Sequence, residues 1–182
     1  MATFVHTEGY VNHLERDLYI PGNILFSDGS AMKTTDGSST SLIAGSASQY
    51  DYREGVGSQA IFSFILSFLQ LSTKQALIAD HDNHCLRSLT RTTNQTGQYA
   101  GNCTYEGNQD GVNALLNEPR ILINDLKDPH HVFITEESGI IKTMNTTSRN
   151  ISNFWTVGRT VYGIIQSLET GDFFMTVAHV VG

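Results

Sequence analysis

Basic residues are scarce in this sequence: 11 Lys and Arg stand against 18 Asp and Glu, a formal charge of −7. That balance offers no positive field to draw in nucleic acid or an anionic membrane, so neither is an expected partner. Long apolar runs are missing as well. None approaches the roughly 20 residues of a membrane-spanning helix, and the opening MATFVHTEGYVNHLERDLYIPG holds no signal-peptide core. An exported protein would carry its signal outside this stretch. Proline occurs three times and cysteine twice. With two sulfurs and no Cys-x-x-Cys spacing, a metal site is not expected. Cys85 and Cys103 read either as free thiols or as a bridge. No segment keeps a sustained 3.6-residue apolar period, which argues against amphipathic helices.

What is present points to strands. Hydrophobic residues make up 40% of the 182 positions, enough for one domain with its own core or for part of a larger one. Sixteen Gly, with many Ser, Thr and Asn, supply tight turns between short strands. Self-similarity sets the plan. Residues 77–89 read LIADHDNHCLRSL, and the triplet Leu86-Arg87-Ser88 recurs as Met32-Lys33-Thr34 and Ile141-Lys142-Thr143. A second marker follows each triplet: Ile43-Ala44-Gly45, Tyr99-Ala100-Gly101 and Thr156-Val157-Gly158. A short apolar strand ending in a polar residue precedes each one, as ILFSD, LIAD and VFITE. Together they define a repeat of roughly 55 residues.

In the best-defined unit, strands are expected at 121–123, 132–134, 140–143 and 153–157. Repeated four-stranded antiparallel units predict an all-β fold, a β-propeller whose units cover one another's faces. The units are expected at roughly 22–60, 61–116, 117–160 and, in part, 161–182. The first should be partial, with strands only from 24 to 45, and 1–21 a weakly ordered segment or an edge strand. That makes an incomplete propeller of about three blades. The closing FFMTVAHVV is an apolar edge open to pairing with another chain. Either a larger propeller supplies the missing blades, or two chains complete one ring.

IADHDNHCLRSL resembles the signature of NHL repeats, through Ala79-Asp80, Asn83-His84 and Leu86-Arg87. Asp110-Gly111 followed by Ala114 to Pro119 resembles the connecting segment of the same family, and Glu54 to Phe62 is a degenerate second copy. In the flanking units Lys33 and Lys142 take the place of Arg87, and the Asn-His pair is absent. The resemblance implies structural roles for Asp80, Asn83, His84, Arg87, Lys33 and Lys142. It also implies a disulfide between Cys85 and Cys103, since extracellular members carry cysteines after Asn-His and after Ala-Gly.

The group Asp80, His84 and Cys85 is where a catalytic cluster would be sought. A Cys-His nucleophile must converge on one pocket, whereas neighbours on an extended strand diverge. Asp80 and Asn83 are instead expected to shape a turn, and His84 and Arg87 to bond between strands or blades. His130-His131 diverge likewise and read as a turn after Pro129. DYREGVG at 51–57 and TYEGNQDG at 104–111 lack the ligand array of a calcium loop and read as connections between blades. Tyr50 and Tyr52 lie in such a connection and are the expected contact surface. His6, His13 and His179 are isolated and receive no role. Asn94, Asn102, Asn145 and Asn150 each begin an Asn-X-Ser/Thr triplet, the acceptor for N-glycosylation.

The expected function is a non-enzymatic, extracellular binding or scaffold module with a protein or glycan ligand and no cofactor. Self-association through exposed edge strands is a further expectation. The alternatives are part of a propeller enzyme, amidating-lyase-like or lactonase-like, and an RNA-binding intracellular NHL domain.

Overall fold

A computed structural model describes residues 10–178. The first sheet comprises β1 (Val11–Arg16), β2 (Ile24–Asp28), β3 (Ala31–Thr35) and β4 (Thr40–Gly45). The second comprises β5 (Ile65–Ser72), β6 (Gln75–Asp80), β7 (Cys85–Thr90) and β8 (Gln95–Ala100). The third comprises β9 (Pro119–Asn124), β10 (His131–Glu136), β11 (Ile140–Asn145) and β12 (Ile151–Thr156). A hairpin of β13 (Val161–Gln166) and β14 (Phe173–Val177) follows. Every pairing is antiparallel between consecutive strands, so each unit is a meander. The only helical turns among the described residues are short 3-10 segments at Gly57–Gln59 and His81–Asn83.

The first sheet corrects one expectation. It has four strands rather than a partial set beginning at 24, because Val11–Arg16 pairs with Ile24–Asp28. VNHLER hides this strand: four of its six residues are polar, and none is fully buried. His6, His179 and the last residues of FFMTVAHVV lie outside the described residues.

Strand alternation sends side chains to both faces, and three apolar clusters fill the spaces between neighbouring sheets. Leu25, Met32 and Ile43 pack against Phe68, Ile78 and Leu89 between the first and second sheets. Leu77, Leu86 and Tyr99 pack against Leu122, Val132 and Met144 between the second and third. Phe133 and Ile141 pack against Val161 and Ile164 of the hairpin. Second strands are therefore buried on both faces, which explains their near-continuous apolar sequences QALIAD and HVFITE. The first strands lie side by side, β1 by β5, β5 by β9 and β9 by β13, and line the inner wall of an open arc.

Two of the three marker glycines have a steric cause, whereas at Gly158 (φ 73°) an added Cβ would meet nothing within 4 Å and the left-handed backbone alone favours glycine. At Gly45 (φ 92°) an added Cβ would stand 2.2 Å from the Ser30 carbonyl oxygen. At Gly101 (φ 79°) it would stand 3.1 Å from the Cys85 Cα. Only glycine lets the fourth strand leave the sheet so close to the start of the third.

Candidate binding face

Meander connectivity sorts the loops onto two faces. One face carries the turns between second and third strands and the long connections 46–64 and 101–118. The opposite face carries the turns that join first to second and third to fourth strands.

On the connection face the NHL-like residues form one network. Asp80 accepts hydrogen bonds from the Ser63 amide (2.9 Å), the Asn83 side chain (2.9 Å) and Arg87 (2.9 Å). Arg87 is fully buried. It also donates to the carbonyls of Arg53 (3.0 Å) and Ile61 (3.4 Å), and it lies between the rings of Tyr52 (4.6 Å) and Phe62 (4.9 Å). Its work is to hold the 46–64 connection onto the second sheet. Asn83 adds a bond to the Asp51 carbonyl (3.0 Å).

His84 is not on an extended strand. Its backbone is left-handed (φ 56°), and its Nδ1 accepts from the Glu118 amide (3.2 Å), joining the second sheet to the entry of the third. Cys85 and Cys103 form a disulfide, with Cα atoms 4.9 Å apart. No free thiol is left to pair with His84, so the Asp-His-Cys group cannot act as a nucleophile.

Lys33 pairs with Asp28 and is partly exposed. Lys142 is fully buried and donates to Asn108, Asp110 (3.1 Å) and Asn153 (2.8 Å). Glu136, which occupies the place of Asp80, therefore lacks a cation at bonding distance. Its Oε1 accepts from the Asn117 amide (2.9 Å), while its Oε2 is buried with no hydrogen-bond partner. Burial pushes this carboxyl up to about 7.

The two tyrosines expected as a contact surface separate. Tyr52 is committed to Arg87 and donates its hydroxyl hydrogen to Glu54 (2.9 Å). Tyr50 is 61% exposed. Tyr105 in the next connection is 63% exposed and was not singled out by its sequence, where one tyrosine among polar residues carries no marker. Beside it, a pocket of about 400 Å³ is lined by Gln98, Tyr99, Asn102, Asn113 and Arg149. Arg149 stacks over Tyr99 (4.6 Å), whose hydroxyl donates to the Thr146 carbonyl (2.7 Å).

Three of the four glycosylation triplets lie on the opposite face: Asn94 in the β7–β8 turn, and Asn145 and Asn150 at the ends of the β11–β12 turn. Asn150 is exposed and Asn94 and Asn145 are partly so. Asn102 alone lies on the connection face, exposed beside the disulfide. His130 and His131 are on the opposite face too, and there the amide of His130 and the ring of His131 both bond Asp128 (2.9 and 2.8 Å). Among the described residues no group of three or more His, Cys, Asp or Glu is placed to hold a metal ion. Among them also, no helix is long and apolar enough to cross a membrane.

The opposite face holds a buried pair that sequence reading missed. Arg91 grips Asp17 with two nitrogens (3.1 and 2.9 Å), tying the β1–β2 turn to the second sheet. Burial alone would raise the Asp17 carboxyl. The bonds from Arg91, Thr34 and the Ile20 and Tyr19 amides outweigh it and hold the group below the usual carboxylate range.

No family model and no curated protein matches this sequence. Solved structures do. The extracellular domain of a protein described as a hybrid two-component system from Bacteroides thetaiotaomicron is 13% identical, with a TM-score of 0.62 over 97% of this chain and 20% of its own. The WD40 domain of Pan2 from Neurospora crassa is 10% identical, with a TM-score of 0.57 over 94% of this chain and 48% of its own. An auxiliary nutrient binding protein from Bacteroides ovatus is 13% identical, with a TM-score of 0.57 over 85% of this chain and 42% of its own. The fold is a partial β-propeller. This chain spans less than half the length of each of those three.

Proposed function

We propose that this chain belongs to an extracellular, glycosylated NHL-type propeller that works as a non-enzymatic binding module and recognises a protein or glycan on the connection face. The observation that carries the reading is the contrast between the two faces. Three acceptor asparagines lie on one of them, while Tyr50 and Tyr105 stand exposed on the other. Glycans on the first would shield it, while on the connection face a glycan could be carried by Asn102 alone. Aromatic side chains presented by loops on a rigid sheet frame supply contact area at small entropic cost. The disulfide supports an oxidising compartment. Two of the similar structures are described as an extracellular domain and a nutrient binding protein, and that agrees with a role in capture.

The test has two arms. Protein secreted from animal cells is weighed intact before and after deglycosylation; the mass is expected to fall, and an unchanged mass would remove the glycoprotein part. The same protein is then probed on glycan and protein arrays. Tyr50→Ala and Tyr105→Ala are each expected to weaken the strongest signal about tenfold, as truncation of an aromatic anchor does, with an unchanged melting temperature. Binding indifferent to both substitutions would end the assignment of this face.

A further inference from the structure

One diagonal of each four-stranded sheet leads from the acid that ends the second strand to the cation of the third. Phe26 faces Lys33, Ile78 faces Arg87 and Ile134 faces Lys142 across the two strands. The acid stands two residues beyond each of those partners and on the same face of the sheet: Asp28, Asp80 and Glu136. In the first sheet Lys33 pairs with Asp28, and in the second Arg87 pairs with Asp80 (2.9 Å). In the third the diagonal is open. Lys142 is turned instead to Asn108 and Asp110 of the 101–118 connection and to Asn153 of β12. Glu136 keeps the Asn117 amide on one oxygen, and the other is buried without a partner.

Lys142 therefore stands between two acids and bonds only one of them. The charged groups that act on Glu136 are Lys142, from β11, and Asp110, from the connection. Its neighbour Glu137 is turned to Arg120, Thr160 and His81 (3.7 Å). His84, from the second sheet, is spent on the Glu118 amide. A neutral carboxyl tolerates burial with one oxygen unbonded, whereas a carboxylate in the same place needs a counter-charge. The cation in position to supply it is Lys142.

We propose that Glu136 and Lys142 form a pH-operated latch on the connection face. With Glu136 protonated, Lys142 clamps the 101–118 connection to the third sheet. With Glu136 ionised, Lys142 swings onto it, completes the diagonal seen in the other two sheets and lets the connection go. The proton leaves to solvent, and only hydrogen bonds change. Burial raises this carboxyl to about 7, so the clamped form is favoured below that pH and gives way as pH rises through it. Release is local. Gly111 keeps its backbone pair with Ile151 (2.8 and 3.1 Å), Asp110 keeps the Asn153 amide (3.0 Å), and Cys103 keeps its disulfide. The slack falls between Cys103 and Asp110, the stretch that carries exposed Tyr105. The latch does not depend on which ligand this face binds.

Hydrogen exchange of the whole chain, read by mass at about pH 6 and pH 8.5 and corrected for the intrinsic rate at each, tests it. Protection of 104–110 is expected to fall about tenfold at the higher pH. Protection of 46–64, held by a guanidinium that stays charged, should remain level. Glu136→Gln should keep the connection clamped at both pH values. Asp110→Asn should move the transition to lower pH, because that carboxylate both competes for Lys142 and raises Glu136. Circular dichroism confirms that the variants fold, and the wild-type comparison decides the matter if they do not. Equal protection of 104–110 at the two pH values would overturn the latch. So would a loss that survives in Glu136→Gln, or one shared equally by 46–64, which would mark loosening of the whole fold.

Discussion

Arg87 is charged, fully buried and answered by one carboxylate, two carbonyls and two aromatic rings. Truncating it leaves Asp80 buried without its counter-ion. Arg87→Ala should therefore cost about 3–5 kcal/mol, read as a lower urea midpoint. Arg87→Lys should recover only part of this, since an ammonium cannot bridge the carboxylate and both carbonyls while stacked between rings. Two carboxyls set the pH dependence. Glu136 is raised to about 7, so its contribution is full below its unfolded value near 4.5 and is lost as pH rises through 7. The loss is on the order of 3 kcal/mol by pH 9. Asp17 is depressed, so its contribution is full above its unfolded value near 3.8 and is lost as acid protonates the folded carboxyl. Thermal melts across pH should show both limbs, and Glu136→Gln should flatten the alkaline one alone.

At the scale of strands and loops, the disulfide ties the start of β7 to the connection that leaves β8. Reduction should cost roughly 3 kcal/mol for a loop of this length. Amide exchange should quicken first in 101–118, where the Thr104 amide donates to the Asn83 carbonyl (2.8 Å). This is also the scale at which the sequence was most legible. The triplets mark third strands because their central cation is paired with a carboxylate near the blade, Asp28 for Lys33, Asp80 for Arg87 and Asp110 for Lys142, and Gly45 and Gly101 mark fourth-strand exits because an added Cβ there would crowd the start of the third strand. The pattern fails at β1. With every residue exposed or half-buried it has no need of a continuous apolar run, and VNHLER shows none. Asp17 and Arg91 were equally invisible: they stand 74 residues apart and belong to no marker.

The described residues form three four-stranded sheets and one hairpin around a shared inner wall. Fold class and repeat were readable from the sequence because stacking requires the same burial pattern again and again. The binding face was readable only in part. Tyr50 and Tyr52 are two positions apart in one connection, and nothing in their spacing tells which of them a distant guanidinium will claim. The connection is answered from outside itself. A loop made of residues 46–64 is pinned by a side chain that arrives with residue 87. During synthesis it must wait, loosely held, for a strand not yet made, and the 101–118 loop waits in turn for residue 142. Assembly should accordingly run like a zip, each new unit fastening the link behind it and leaving the newest link slack.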